Sequence, residues 1–301
     1  LSINRELLMN TLSINENFLA LEDRYSSFNN SKIAILPVPY EATTSYGQGT
    51  ANGPGAILKA SHFVEFFDEE LNRELCFDAG IATLPPIEFN GVRDKEALEK
   101  IYHNVRELII EGKYVVTLGG EHTISFAPIK AHLEYFRNLS VLQFDAHSDY
   151  REEYEGSKYS HASVMARVSE LTRDIVQIGI RAQCREEFEF ILQNNMKTFY
   201  AHQIRNGEFG NDWDDKVIDA LGENVYVTFD VDYFDPSIMP STGTPEPLGF
   251  YWEETMKLLR KLGERRNVVG FDVVELSPKP SIEFPDFYGA KLVYKMLNYF
   301  I

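Results

Sequence analysis

At 301 residues, 44% hydrophobic and 25% charged, the chain has the composition of a folded globular protein large enough for a single α/β domain. A net charge of −17 excludes the basic face that nucleic acid requires, and the lack of any run of about eighteen apolar residues excludes a membrane-spanning helix. Two cysteines, Cys76 and Cys184, fit neither a disulfide framework nor a thiolate metal site, and "LSINRELLMN" shows no secretory leader, so a cytoplasmic setting is expected.

Residues 1–30 are mixed and polar and read as an N-terminal arm with one short helix; residues 31–301 show no repeat or linker and read as one domain. Within it, apolar β-rich runs alternate with helical patterns. "SKIAILPV" (31–38) reads as a strand, and "GPGAILKASHFVEFF" (53–67) as a helix opened by Gly53 and Pro54. "KEALEKIYHNVRELIIEG" (95–112) has helical spacing and stops at Gly112, "YVVTLGG" (114–120) is a strand, and a helix starts near Ser125. Further strands are "LSVLQFDA" (139–146), "DIVQIGI" (174–180), "KTFYA" (197–201), "NVYVTFDVD" (224–232) and "NVVGFDVVEL" (267–276). The helices "REEFEFILQNN" (185–195), "WEETMKLLRKLG" (252–263) and "YGAKLVYKMLNYF" (288–300) lie between or after them. Strand–helix alternation with continuous apolar strands predicts a mostly parallel sheet covered on both faces, with a site beyond the carboxyl ends of the strands.

Polar groups gather at those ends. His122 follows "YVVTLGG", Asp145 follows "LSVLQF", Asp230 follows "VYVTF" and Glu275 follows "VVGFDVV". In "DAHSD" the acids and imidazole occupy every second position, so an extended segment would turn Asp145, His147 and Asp149 to one face; "DVD" does the same with Asp230 and Asp232. Together with His122 these make two imidazoles and four carboxylates, too many for one tetrahedral ion and suited to two adjacent divalent ions with shared carboxylates. Oxygen and nitrogen donors without thiolate favour Mn²⁺; Fe²⁺, Co²⁺, Ni²⁺ and Zn²⁺ also accept such donors.

"GGEHT", "DAHSD", "SHAS", "TFDVDYFDPSIMPSTGTPEP" and "DVVELSP" occur in the order seen in the ureohydrolase family of arginases, agmatinases and related guanidine-cleaving enzymes, which the chain resembles. "YEATTSYGQGTANGPGAILKAS" and "FYGAKLVYKML" extend the likeness to nearly everything after about residue 30. The resemblance implies a three-layer α/β/α fold around an eight-stranded parallel sheet, of the arginase/deacetylase type. It implies two manganese ions, one held by His122, Asp145, Asp149 and Asp230 and the other by Asp145, His147, Asp230 and Asp232, and a homo-oligomer, trimer or hexamer.

The reaction so implied is attack of water on a guanidine carbon, releasing urea and a primary amine; a divalent ion supports it by lowering the pKa of bound water from about 15.7 to roughly 7. Glu275 is the expected partner of the guanidinium, since a carboxylate accepts parallel N–H bonds. Asp272, on the opposite face of an ideal strand, is expected to support rather than ligate. His161 is the expected proton shuttle. The chain departs from the commoner family pattern at Ala162-Ser163, where Gly-Thr or Gly-Ser is frequent, and at Glu121, where Asp is frequent.

The loop "YREEYEGSKYSH" (150–161) sets Glu152, Glu153 and Glu155 against Arg151 and Lys158. An acid-leaning loop repels a carboxylate tail and attracts an amine tail, so Glu153 and Tyr154 are expected beside Glu275 at the substrate. Agmatine, giving putrescine and urea, is the expected substrate, with N1-aminopropylagmatine, giving spermidine, as the alternative. Other guanidine specificities (arginase, guanidinobutyrase, formimidoylglutamase) are the nearest rivals. A single-zinc deacetylase of the same fold is disfavoured by His122 and Asp149, and a metal-binding pseudoenzyme by the full set of candidate ligands.

Overall fold

The computed structural model describes residues 10–301; the first nine residues of the expected arm lie outside the described residues. Eight strands run through the chain: β1 (Ile33–Val38), β2 (Ile81–Thr83), β3 (Tyr114–Gly119), β4 (Leu139–Phe144), β5 (Ile175–Ile178), β6 (Lys197–Phe199), β7 (Asn224–Asp230) and β8 (Asn267–Val274). They form one sheet in the order β2-β1-β3-β8-β7-β4-β5-β6, every pairing parallel. The eighth strand that the pattern reading missed is β2, whose three residues are too short to show a period.

Parallel strands buried on both faces need covering layers, and alternate side chains of one strand enter different cores. Ile33 and Ile35 join a core that includes helices Gly53–Ser61, Trp252–Arg265 and Phe284–Phe300, while Ala34 and Leu36 join one with helices Asp94–Ile110 and Phe126–Tyr135. This is a three-layer α/β/α architecture. The described part of the arm carries one α-helix, Asp23–Ser26, between two 3₁₀ turns. Phe18, Leu19 and Leu21 are buried, and the Phe18 and Leu19 N–H groups donate to Thr83 Oγ1 and Ser61 Oγ at 2.9 and 2.8 Å.

Among the described residues no helix is long and apolar enough to cross a membrane.

One glycine matters for the site. A Cβ on Gly120 would sit 2.0 Å from the Tyr40 carbonyl oxygen, so only glycine lets the chain leaving β3 pass the Tyr40 backbone and turn into the 3₁₀ segment His122–Ser125.

Candidate active site

Four strands adjacent in the sheet, β3, β8, β7 and β4, supply the candidate residues from their carboxyl ends. His122 opens the 3₁₀ turn after β3, Asp145 follows β4, Asp230 closes β7, and Glu275 follows β8.

The expectation of an extended "DAHSD" is corrected. β4 stops at Phe144, and Asp149 has a left-handed φ of 55°. Likewise Asp232 lies in a 3₁₀ turn, Val231–Tyr233. The two motifs instead share one local device. Asp145 Oδ1 accepts the N–H of His147 at 2.6 Å, and Asp230 Oδ1 accepts the N–H of Asp232 at 2.8 Å. Each is a side-chain-to-backbone turn two residues long, which bends the chain out of the strand and turns the second carboxylate oxygen toward His122; Asp145 Oδ2 also accepts from Gln143 Nε2 at 2.7 Å.

The structure brings all six ligand candidates together. His122 Nδ1 lies 3.0 Å from Asp145 Oδ2, 3.1 Å from Asp149 Oδ2 and 3.4 Å from Asp230 Oδ2. His147 Nδ1 lies 2.8 Å from Asp232 Oδ2 and 3.7 Å from Asp145 Oδ1. Donor atoms of His122, Asp145 and Asp149 fall within 4.8 Å of one another, as do those of Asp145, His147 and Asp232, with Asp145 in both groups.

Whether these residues suit a cation can be tested on His122. Asp272, fully buried, accepts the Tyr226 hydroxyl at 2.8 Å, the Thr228 hydroxyl at 2.7 Å and the Ser125 hydroxyl at 3.0 Å. Thr228 has one hydroxyl proton and gives it to Asp272, so its oxygen accepts from His122 Nε2 at 2.9 Å. Nε2 therefore carries a hydrogen, and Nδ1 is the ring atom that faces three carboxylates. Among the described residues Nδ1 has no hydrogen-bond partner. Carboxylates converging on one buried nitrogen call for positive charge among them. The acids agree: burial, then the Asp145 charge, raises Asp149 to about 7, and burial with the Asp232 and Asp145 charges holds Asp230 well above the carboxylate range. Divalent cations relieve that repulsion, and the donor set fits them.

The cluster forms the floor of a cavity of about 280 Å³ whose walls include His161, Tyr154 and Glu275. Glu275 has a φ of 67°, a strained conformation for a non-glycine residue, and its Oε1 accepts the His122 N–H at 2.6 Å. His161 packs edge-on against Tyr154 with ring centroids 5.3 Å apart. Burial, and secondarily the charges of His147 and His122, lower its pKa to about 4, so the imidazole is neutral at pH 7.

Glu153 is not part of the wall. Of the acid-rich loop only Arg151, Tyr154 and His161 line the cavity, and Glu152 is drawn outward to Lys158 and Arg167, each at 2.8 Å. The charge count of a loop does not tell which side chains turn inward. The walls instead hold Glu187 and Glu246, which the sequence reading did not single out, although Glu246 lies within the quoted "TPEP". Arg181 was also missed. Its guanidinium donates to the carbonyls of Gly179, Asp232, Tyr233, Phe234, Glu246 and Pro247, tying the "DVD" turn to the Glu246 rim.

Residues 31–298 match the arginase family. An N(1)-aminopropylagmatine ureohydrolase of Synechocystis sp. is 36% identical over 280 residues, covering 91% of this chain and 90% of that protein. An agmatinase of Pyrococcus horikoshii is 31% identical over 270 residues, covering 88% of this chain and 90% of that protein. The crystal structure of the agmatine ureohydrolase of Thermoplasma volcanium superposes with a TM-score of 0.81 at 28% identity, covering 95% of this chain and 94% of that one.

Proposed function

The chain belongs to the arginase family and is a ureohydrolase-type enzyme, and from that premise we propose that it hydrolyses a guanidine bearing an amine tail, agmatine to putrescine and urea, at a pair of Mn²⁺ ions. His122, Asp145, His147, Asp149, Asp230 and Asp232 would hold the ions, which when bound would supply an activated water and stabilisation of negative charge at the guanidine carbon.

The protein's own groups do the rest. Glu275 orients the substrate: Oε1 is engaged by the His122 N–H, and Oε2 is available to accept a guanidinium N–H. His161, neutral and half-buried at the cavity wall, takes a proton and returns it to the departing amine. Tyr154 closes the wall beside it.

One observation carries the amine-tail reading. Arg151 is the only Lys or Arg among the described cavity-lining residues, and its Nε is 3.7 Å from Glu187 Oε2 while its guanidinium lies over the Tyr154 ring. Among the described lining residues the cavity thus has no free cation to receive a substrate carboxylate, and Glu246, partly exposed at its wall, makes it attractive to an ammonium. A second reading, N1-aminopropylagmatine to spermidine and urea, is favoured by the relative of that name at 36% identity, against 31% for the agmatinase.

Urea release from agmatine, N1-aminopropylagmatine, arginine and guanidinobutyrate after manganese loading tests the proposal. A higher kcat/KM for arginine than for both amine-tailed substrates would overturn it.

A further inference from the structure

Glu121 is fully buried, next in sequence to His122, and its carboxylate is taken up by groups outside the metal cluster. Oε2 accepts the backbone N–H groups of Ala42 and Thr43 at 2.6 and 2.7 Å, and Oε1 accepts the hydroxyls of Thr43 and Thr123 at 2.8 and 2.5 Å. An ionised carboxylate offers about four acceptor sites and has no proton to give. All of them are used.

Thr43 has one hydroxyl proton, and Glu121 takes it. Toward its other neighbours Thr43 Oγ1 can only accept. They are the backbone N–H of His161, at 3.1 Å, and the His161 ring Nδ1, also at 3.1 Å. Two lone pairs meet two donors, so Nδ1 carries the ring hydrogen. Nε2 keeps its lone pair, with Ser45 Oγ 3.4 Å away as its neighbour at the cavity.

We infer that Glu121 and Thr43 are positioning residues for His161: the buried carboxylate, acting through the Thr43 hydroxyl, fixes the imidazole as the Nδ1–H tautomer with Nε2 as the base. The inference rests on the reading of His161 as proton shuttle. When Nε2 takes a proton, the resulting cation already has its Nδ1–H aimed through a hydroxyl at a carboxylate, and no other hydrogen has to move. The same Nε2 then returns the proton to the departing amine.

Thr43→Val keeps the shape of the side chain and deletes its hydroxyl; Thr43→Ser keeps the hydroxyl. In the manganese-loaded enzyme, Thr43→Val is expected to lower kcat about 10- to 100-fold with KM nearly unchanged. Thr43→Ser should restore most of the rate, and on a His161→Asn background Thr43→Val should cost nothing further. Equal losses for Val and Ser, or losses that multiply with His161→Asn, would overturn the inference while leaving the shuttle in place. Wild-type kcat in His161→Asn alone would remove the shuttle and the relay together. A readout independent of turnover is the ¹⁵N spectrum of the His161 ring in protein loaded with diamagnetic zinc. Protonated Nδ1 and bare Nε2, giving way to a tautomer mixture in Thr43→Val, is the expected result; protonated Nε2 in the wild type refutes it.

Discussion

Glu275 Oε1 and the backbone N–H of His122 meet at 2.6 Å, joining the ends of β8 and β3 at the floor of the cavity. The bond holds Glu275 in its left-handed conformation and distinguishes its two carboxylate oxygens: Oε1 is engaged by the backbone, and Oε2 is the one the proposed function offers to a guanidinium.

Glu275→Gln should tell the two oxygens apart. The amide oxygen can still accept from His122, so metal content per chain is expected to match wild type, whereas loss of the charge that pairs with a guanidinium should reduce kcat/KM about 100-fold. Steady-state kinetics beside elemental analysis checks this. A change in KM alone, with kcat preserved, would contradict the role given to Glu275.

Chelation is expected to abolish activity and Mn²⁺ to restore it. Asp230→Asn should bind little metal, because it loses one of the four carboxylates proposed to hold the cations. The same substitution relieves repulsion among buried acids that raises the Asp230 pKa, so the metal-free variant should melt about 2 °C or more above metal-free wild type. Full metal content in Asp230→Asn would rule out its place among the ligands.

His132 sets a pH limit on stability that is independent of catalysis. Its Nδ1 bonds the Pro128 carbonyl oxygen at 2.7 Å, its Nε2 is buried without a partner among the described residues, and burial lowers its pKa to about 4. The unfolded chain, with a pKa of about 6.5, binds a proton that the folded protein refuses. The stabilisation is complete above pH ~6.5 and falls away as the pH drops toward 4, by about 3 kcal/mol in all. Urea unfolding of wild type and His132→Gln between pH 7 and 4 should give slopes differing by close to one proton; parallel slopes would show that His132 does not titrate on unfolding.

Arg181→Lys should be costly despite conserving charge. A single ammonium cannot serve carbonyls spread over three segments, and a loss of about 2 kcal/mol in unfolding free energy is expected from the carbonyls left behind. Since one of them belongs to Asp232, manganese affinity should weaken as well. A variant with unchanged metal titration would restrict Arg181 to folding.

Much of the fold and of the candidate site was legible in the sequence, for identifiable reasons. Apolar runs ending in His, Asp or Glu mark the carboxyl ends of buried strands, and the six clustered side chains come from such runs. The geometry that gathers them was not legible. A period of two suggests extended backbone, whereas Asp145 and Asp230 each capture the amide two residues on, and Asp149 occupies a left-handed conformation. Glu153 was misplaced because Lys158 and Arg167 organise the loop around Glu152. The Glu121–Thr43 contact, 78 residues apart, has no local pattern to announce it.

The interleaved order of the sheet also dictates when the centre can come into being. His147 and Asp232 are 85 residues apart and His122 and Glu275 are 153, yet both pairs touch. A chain leaving the ribosome exposes "GGEHT" and "DAHSD" long before β7 and β8 exist to complete the cage. All six candidate ligands precede β8, but β8 lies between β3 and β7 in the sheet, so His122 is not set beside Asp230 until that last strand is in place.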